Sequence, residues 1–259
     1  MIAKFLFLFY IISLGCAIPM GIGVKHAYQQ NKLVWADSVN LLAAREMELA
    51  CVMDNCIPIS ESIGSGTSFV IDHIGEKSII MTAAHLCQPR DGFGQSNANI
   101  MGAEMVTSFE VGIIWNQQLI LTNEILYNNI EDDICILTIP RIHTATARIA
   151  KDNPDYGDIV WSIGAPAAYF PESAKPITHG HFSGEASRVL FDNSMMGFYN
   201  MSMPTVQGMS GSPIFNDDGE VVGIVSAVQV DWHMICYSPT LDQIKEAIKT
   251  AYEVLEDDG

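Results

Sequence analysis

The stretch Val206–Pro213, V-Q-G-M-S-G-S-P, constrains this chain more than any other. Ser210 stands between Gly208 and Gly211, with Met209 beside it. A serine that acts as a nucleophile must protrude from a tight turn. Backbone N–H groups must also point at the oxygen that becomes negative when a carbonyl is attacked. Gly208 permits a positive φ and lets a substrate approach its N–H, and the N–H of Ser210 is the second donor. A serine alone is a poor nucleophile, so this reading requires a base and an orienting acid. Both lie upstream: His85 in T-A-A-H (Thr82–His85) and Asp133 in D-D-I-C-I-L (Asp132–Leu137).

These segments, in the order His85, Asp133, Ser210, resemble the trypsin-like (chymotrypsin-fold) serine proteases. Subtilisins and α/β-hydrolases use the same trio in other orders. The resemblance runs from near Ile57 to the C-terminus. It implies an all-β protein of two six-stranded antiparallel β-barrels with a C-terminal helix. A second pattern, G-D-x-V-x-x-I-G-x-P from Gly157 followed by T-x-G-x-x-S-G from Thr178, looks like the second barrel of HtrA-type proteases. Those usually carry a peptide-binding PDZ module after the protease, and the helix expected at the end of this chain cannot be one. The G-x-S-G-S-P-x-F-N run also resembles the glutamyl endopeptidases.

Read in order, residues 1–24 form a hydrophobic leader, residues 25–56 a helical linker or strap, and residues 57–259 the protease domain. Ser38 caps an expected helix through Leu41, Leu42, Ala44, Met47 and Leu49, whose spacing fits one buried stripe. The first barrel covers 57–140, with strands at Thr67–Ile71, Lys77–Thr82, Met105–Trp115, Gln118–Ile125 and Asp133–Ile139. Arg141–Tyr156 reads as the link between barrels. The second barrel covers 157–239, with Asp218-Gly219 as a hairpin turn. A helix starting at Thr240 or Asp242 runs to Leu255.

The leader has Lys4 as its only charge before Lys25, and Phe5–Leu14 is apolar apart from Ser13. It reads as a secretory signal cleaved after Ala17. The apolar stretch also extends through Val24, long enough for a retained membrane anchor over residues 2–24. Ser13–Cys16 faintly resembles a lipoprotein box. All three readings place the protein outside the cytoplasm, in the periplasm, secreted, or membrane-anchored. The net charge of −17 opposes a nucleic-acid partner, because phosphates would be repelled. Of the six cysteines, Cys51 and Cys56 are near enough to close a small loop. Cys135, inside an apolar strand, reads as a buried free thiol. Cys87 stands close after the base, where many secreted trypsin-like enzymes carry a disulfide cysteine, but spacing does not name its partner. No Cys/His spacing looks like a zinc site, and no cofactor is expected.

The resemblance implies that Ser210 attacks the scissile carbonyl, that His85 takes and returns its proton, and that Asp133 orients the imidazole. Asp132 is the rival acid; the family places the acid directly before the apolar run, which favours Asp133. Gly208 and Ser210 supply the oxyanion hole. Met209 replaces the aspartate that zymogen-activated enzymes carry before the nucleophile, so activation by an inserted N-terminus is not expected. Pro204 stands where trypsin-type pockets have an aspartate, and Val225 where glutamyl endopeptidases have a histidine. With Ser226, Ala227 and Val228 on the substrate-pairing strand, these residues predict a pocket for small or medium apolar side chains. His179, His181 and His233 match no motif and read as surface or core residues, and His73 as solvent-facing. The expected function is a serine endopeptidase acting on polypeptide. The alternatives are a silent homologue that binds peptides or a partner, and an esterase-like use of the triad. Oligomerisation through Lys25–Leu49 is an expectation carried over from HtrA-type trimers.

Overall fold

The computed structural model describes residues 35–52, 55–89, 104–122, 124–165, 175–189, 195–228 and 234–257. The leader and His233 lie outside the described residues, as does the side chain of Val228. The first sheet holds β1 (Val39–Val52), β2 (Asn55–Ile74), β3 (Lys77–Thr82), β4 (Glu104–Trp115), β5 (Gln118–Leu121), β6 (Glu124–Asn129) and β7 (Ile134–Pro140). Its strand order is β5-β4-β1-β2-β3-β7-β6. The second holds β8 (Arg148–Ile149), β9 (Ile159–Ile163), β10 (Ile177–Val189), β11 (Met195–Ser202), β12 (Pro213–Phe215), β13 (Glu220–Ile224), β14 (Ala227–Val228) and β15 (Ile235–Ser238). Its order is β14-β15-β11-β10-β9-β12-β13-β8. All pairs are antiparallel except β8 with β13. These are the two expected barrels of the chymotrypsin-like fold, with seven and eight strands in place of six each.

One extra strand is a correction. The expected helix over 38–49 is β1, and only residues 35–38 are helical. Leu41, Leu42, Ala44, Met47 and Leu49 fit a helical stripe, but the same segment also alternates. Asn40, Leu42, Ala44 and Glu46 are buried while Leu41, Ala43, Arg45 and Met47 are half-buried. Pairing with β2 on one side and β4 on the other satisfies its backbone along nearly its whole length, and that tertiary context overrides helix propensity. The segment read as a linker, Arg141–Tyr156, likewise contributes β8.

Three clusters of buried side chains hold the fold. One fills the first barrel with Leu42, Val70, Ile80, Val111, Cys135, Leu137 and Ile139. Another fills the second with Val160, Tyr199, Met201, Met209, Ile214 and Val225. The third lies where the sheets meet and joins Phe69, Met81 and Ile136 of the first to Ile163, Phe215 and Ile224 of the second. β7 therefore feeds Ile134 and Ile136 to the interface and Cys135, Leu137 and Ile139 to the barrel. A strand buried on both faces reads as a continuous apolar run rather than an alternation. The C-terminal helix α1 (Leu241–Asp257) closes the interface with Ile244, Ala247 and Ala251. Thr240 caps it: the Gln243 N–H donates to Thr240 Oγ1 at 3.3 Å, and the Gln243 side chain accepts from the Thr240 N–H at 2.6 Å.

Before β1, Trp35 stacks on Phe215 of the second sheet, ring centres 5.2 Å apart. The strap therefore runs into the first sheet as β1, while its first described residue rests on the second.

Candidate active site

His85 and Asp133 stand where strands of the first sheet end, and Ser210 on a loop tied to both sheets. β3 stops at Thr82, and the buried pair Ala83 and Ala84 leads into a single 3-10 turn, Ala84–Leu86, that carries His85. Small side chains there let the turn sit against the crowded barrel end. β7 begins directly after Asp133, which adopts a left-handed backbone, φ 54°. Non-glycine residues take this conformation only where their surroundings impose it. What imposes it is visible. One carboxylate oxygen of Asp133 accepts the His85 backbone N–H at 2.9 Å, and both lie 2.9–3.0 Å from His85 Nδ1. The Ser226 hydroxyl donates to the second oxygen at 2.5 Å. Asp133 is mostly buried, its side chain 13% exposed, whereas that of His85 is 39% exposed. The carboxylate is fixed and the imidazole is open to solvent.

Ser210 lies between β11 and β12, on a loop tied to both sheets. Its carbonyl accepts the Thr67 N–H of β2 at 2.8 Å, and the Thr67 hydroxyl donates to the Gly208 carbonyl at 2.9 Å. On the other side the Gly211 N–H donates to the Val225 carbonyl at 2.7 Å. Gly211 has φ +83°, and a Cβ there would stand 2.0 Å from the Thr67 carbonyl, so no other residue fits. Met209 is wholly buried in the second barrel and serves as the loop's apolar hook. Gly208 has φ +91°. Among the described residues, the N–H groups of Gly208 and Ser210 donate to no protein acceptor. The Ser210 hydroxyl makes a long contact, 3.5 Å, with the Ser226 carbonyl, and no hydrogen bond joins it to His85 among the described residues. Such bonds commonly tighten only when substrate arrives.

Residues 64–224 match the family described as trypsin-like peptidase domain. The chain belongs to the trypsin-like peptidase family. It is a serine peptidase, a hydrolase. No curated protein matches it in sequence. Solved structures share its fold. The Rv3671c protease from M. tuberculosis in its active form has 18% identity and TM-score 0.59, covering 87% of this chain and 86% of its own. The inactive form of that protease gives 16% and 0.57 over 87% and 94%. The HtrA-type protease AlgW, solved with a decapeptide, gives 16% and 0.62 over 88% of this chain and 67% of its own.

In this peptidase a cleft of about 390 Å³ opens beside His85 and Asp133, lined also by Phe198, Ser226, Ala227 and Tyr237. Of the residues expected to bind substrate, Ser226 and Ala227 reach it. Pro204 is exposed elsewhere on the nucleophile loop, and Val225 is buried in the second barrel. Val225 acts through its backbone, which pairs with Gly211 and Ser212. Asp132, the rival acid, accepts instead from Tyr127, Asn129 and Gln243.

His179 is exposed against Trp161, and His181 is exposed with Nδ1 on the Gly157 carbonyl. His73 is half-buried, not solvent-facing, because Ser78 and the Thr144 carbonyl engage both ring nitrogens. Among the described residues no His, Cys, Asp or Glu side chains group as metal ligands.

The cysteines bring a second correction. Cys51 and Cys56 form a disulfide, as their spacing allows. Cys135 is not a free thiol: it is bonded to Cys87, and among the described residues the buried free thiol is Cys236. Sequence reasoning also missed the Ser226 hydroxyl on Asp133 and the Thr67 clamp on the nucleophile loop. Neither carries a local pattern, since each depends on which strand ends meet.

Proposed function

We propose that this peptidase is an endopeptidase that cleaves exposed or unfolded polypeptide through His85, Asp133 and Ser210. Ser210 Oγ attacks the scissile carbonyl while His85 Nε2 takes its proton. The oxyanion is met by the N–H groups of Gly208 and Ser210. The amine leaves with the proton from His85, and water, activated by the same imidazole, releases the acid from the acyl-enzyme. Asp133 stays ionised and holds Nδ1. The observation that carries this reading is the His85 imidazole fixed at 2.9 Å on Asp133, beside a serine loop whose two N–H groups lack protein acceptors. A polypeptide substrate is favoured because β14 is the edge strand of its sheet among the described residues and Ala227 of that strand lines the cleft, a place where an extended chain can pair.

Labelling with a fluorophosphonate probe tests the triad. Label should attach to Ser210 and vanish in Ser210→Ala and His85→Ala. A folded protein that never labels would make it a peptide-binding homologue instead. The proposed preference for small or medium apolar residues before the scissile bond rests on Phe198 and Ala227 in the cleft wall, since Pro204 and Val225 do not reach it. A cleavage library dominated by Arg, Lys or Glu would overturn it.

We also propose that the protein works outside the cytoplasm, since the two disulfides among the described residues suit an oxidising compartment. No helix among the described residues is long and apolar enough to cross a membrane. Alkylation in intact cells tests the placement: Cys51, Cys56, Cys87 and Cys135 should resist labelling until reduced, and finding them as thiols would count against export.

A further inference from the structure

We propose that the Cys87–Cys135 disulfide is the positioning crosslink of the His85–Asp133 pair, so that this peptidase reaches full activity only after those two thiols are oxidised. The proposal rests on the triad assigned above.

The bond joins the two segments that must be held together. Cys87 ends the 3-10 turn bearing His85, with its N–H on the Ala84 carbonyl at 2.9 Å. Cys135 lies in β7 just beyond Asp133 and faces Thr82, the last residue of β3. The crosslink therefore closes a small frame in which one side carries the base and the other the acid. Without it the pair is held by the hydrogen bonds among His85, Asp133 and Ser226 alone. The turn is three residues long and has no side-chain cap, and His85 itself points to solvent. Asp133 has a backbone conformation that a non-glycine residue does not choose unaided. A misplacement of about 1 Å in such a constellation can cost about a hundredfold in rate.

Both sulfurs lie inside the first barrel, Cys87 3% and Cys135 0% exposed. Reductants in solution cannot reach the finished bond, so its redox step belongs to folding. By exchange with a small disulfide, two protein thiols become one protein disulfide, and the small disulfide is reduced to two thiols. Two electrons pass from the protein sulfurs to the oxidant, and the two thiol protons end on the released thiols. Chain held as dithiol would have barrel, cleft and serine loop, with the His–Asp pair loose. The Cys51–Cys56 bond closes the far tip of the β1–β2 hairpin and provides the comparison.

The test uses the full chain. Cys87→Ser/Cys135→Ser and the better-filling Cys87→Ala/Cys135→Val are compared with Cys51→Ser/Cys56→Ser. Thermal unfolding, kcat and KM on a peptide ester, the fluorophosphonate labelling rate, and the downfield proton resonance of His85 Nδ1–H are measured. The expected result is that at least one Cys87/Cys135 variant folds, with kcat at least about tenfold lower, KM within about twofold, and the downfield resonance lost. The hairpin variant should match wild type in all of these but stability. Wild type refolded with increasing oxidised glutathione present should label in step with the loss of the Cys87 and Cys135 thiols, and wild type refolded as the dithiol should label slowly. A folded Cys87/Cys135 variant with kcat within about threefold of wild type and the resonance intact would overturn the proposal. So would failure of both variants to fold, which would make the bond a support of the barrel alone. Wild type that labels at a residue other than Ser210 would instead overturn the triad.

Discussion

At the scale of single residues, Asp133 is the most constrained group in the site. It accepts from the His85 ring, the His85 backbone and the Ser226 hydroxyl, so removing one donor should loosen it without freeing it. Ser226→Ala is expected to lower kcat by about tenfold and leave KM nearly unchanged, since a hydrogen bond to a charged group is worth about 1.5–3 kcal/mol. A KM effect with unchanged kcat would show that Ser226 serves only the cleft wall. Cys236 makes a different prediction. Burial pushes its thiol from 9.0 up to about 12. The unfolded chain therefore loses this proton near pH 9 while the folded one keeps it. Stability is intact below that pH and falls as pH rises towards 12, by at most about 1.4 kcal/mol per pH unit for this group. Tyr252, raised by burial and then by its hydrogen bond to Asp72, acts in the same direction. Only the difference between wild type and Cys236→Ala isolates the thiol. Urea unfolding at pH 8 and pH 11 should show the smaller pH loss in the variant, and equal losses would refute the assignment.

At the scale of elements, the strap before β1 is held by one aromatic contact and by hydrogen bonds that Thr144, Ala145 and Lys175 donate to Asp37 and Ala36. Trp35 stacks on Phe215 and covers Gly219, where a Cβ would lie 2.0 Å from the indole nitrogen. Trp35→Ala and Gly219→Ala should each destabilise the protein, by about 2 kcal/mol for the half-buried tryptophan. The double variant should fall well short of the sum, because both changes break the same contact. Full additivity would mean that Gly219 matters only for its φ of +75°. Elements of this kind also decide what the sequence could reveal. β7 was legible because both its faces are buried, leaving an uninterrupted apolar run after Asp133. The hairpin turns were legible too: Asn116 and Gln117 take the positive φ values of a tight turn, and Gly219 does the same. β1 was not, since its apolar residues satisfy both periods and only its flanking partners settle which one counts. The segments carrying His85, Asp133 and Ser210 each have a local motif, whereas the Ser226–Asp133 contact and the Cys87–Cys135 bond span 93 and 48 residues with no periodic signal.

At the scale of the whole molecule, His85 and Asp133 belong to the first sheet and Ser210 to the second, so the proposed mechanism requires the sheets to stay in register. The interface cluster provides this, because Phe69, Met81 and Ile136 share one apolar core with Ile163, Phe215, Ile224 and the helix residues Ile244 and Ala247. Two barrels joined through a common core should unfold as one unit, whereas two barrels with separate cores would melt in sequence. Ile136 is the discriminating position. It is wholly buried, it belongs to the first sheet, and its side chain faces the second. Ile136→Ala should cost about 2–5 kcal/mol. The two reporters are Trp115 in β4 and Trp161 in β9, followed separately by fluorine resonances in protein labelled with fluorotryptophan. In wild type and variant alike, both should disappear at one denaturant concentration, and that concentration should fall for both together in the variant. Fluorophosphonate labelling should be lost at the same point. If the Trp115 signal alone moved, the barrels would be independent folding units. The serine loop would then be held in place by its Thr67 clamp rather than by the shared core.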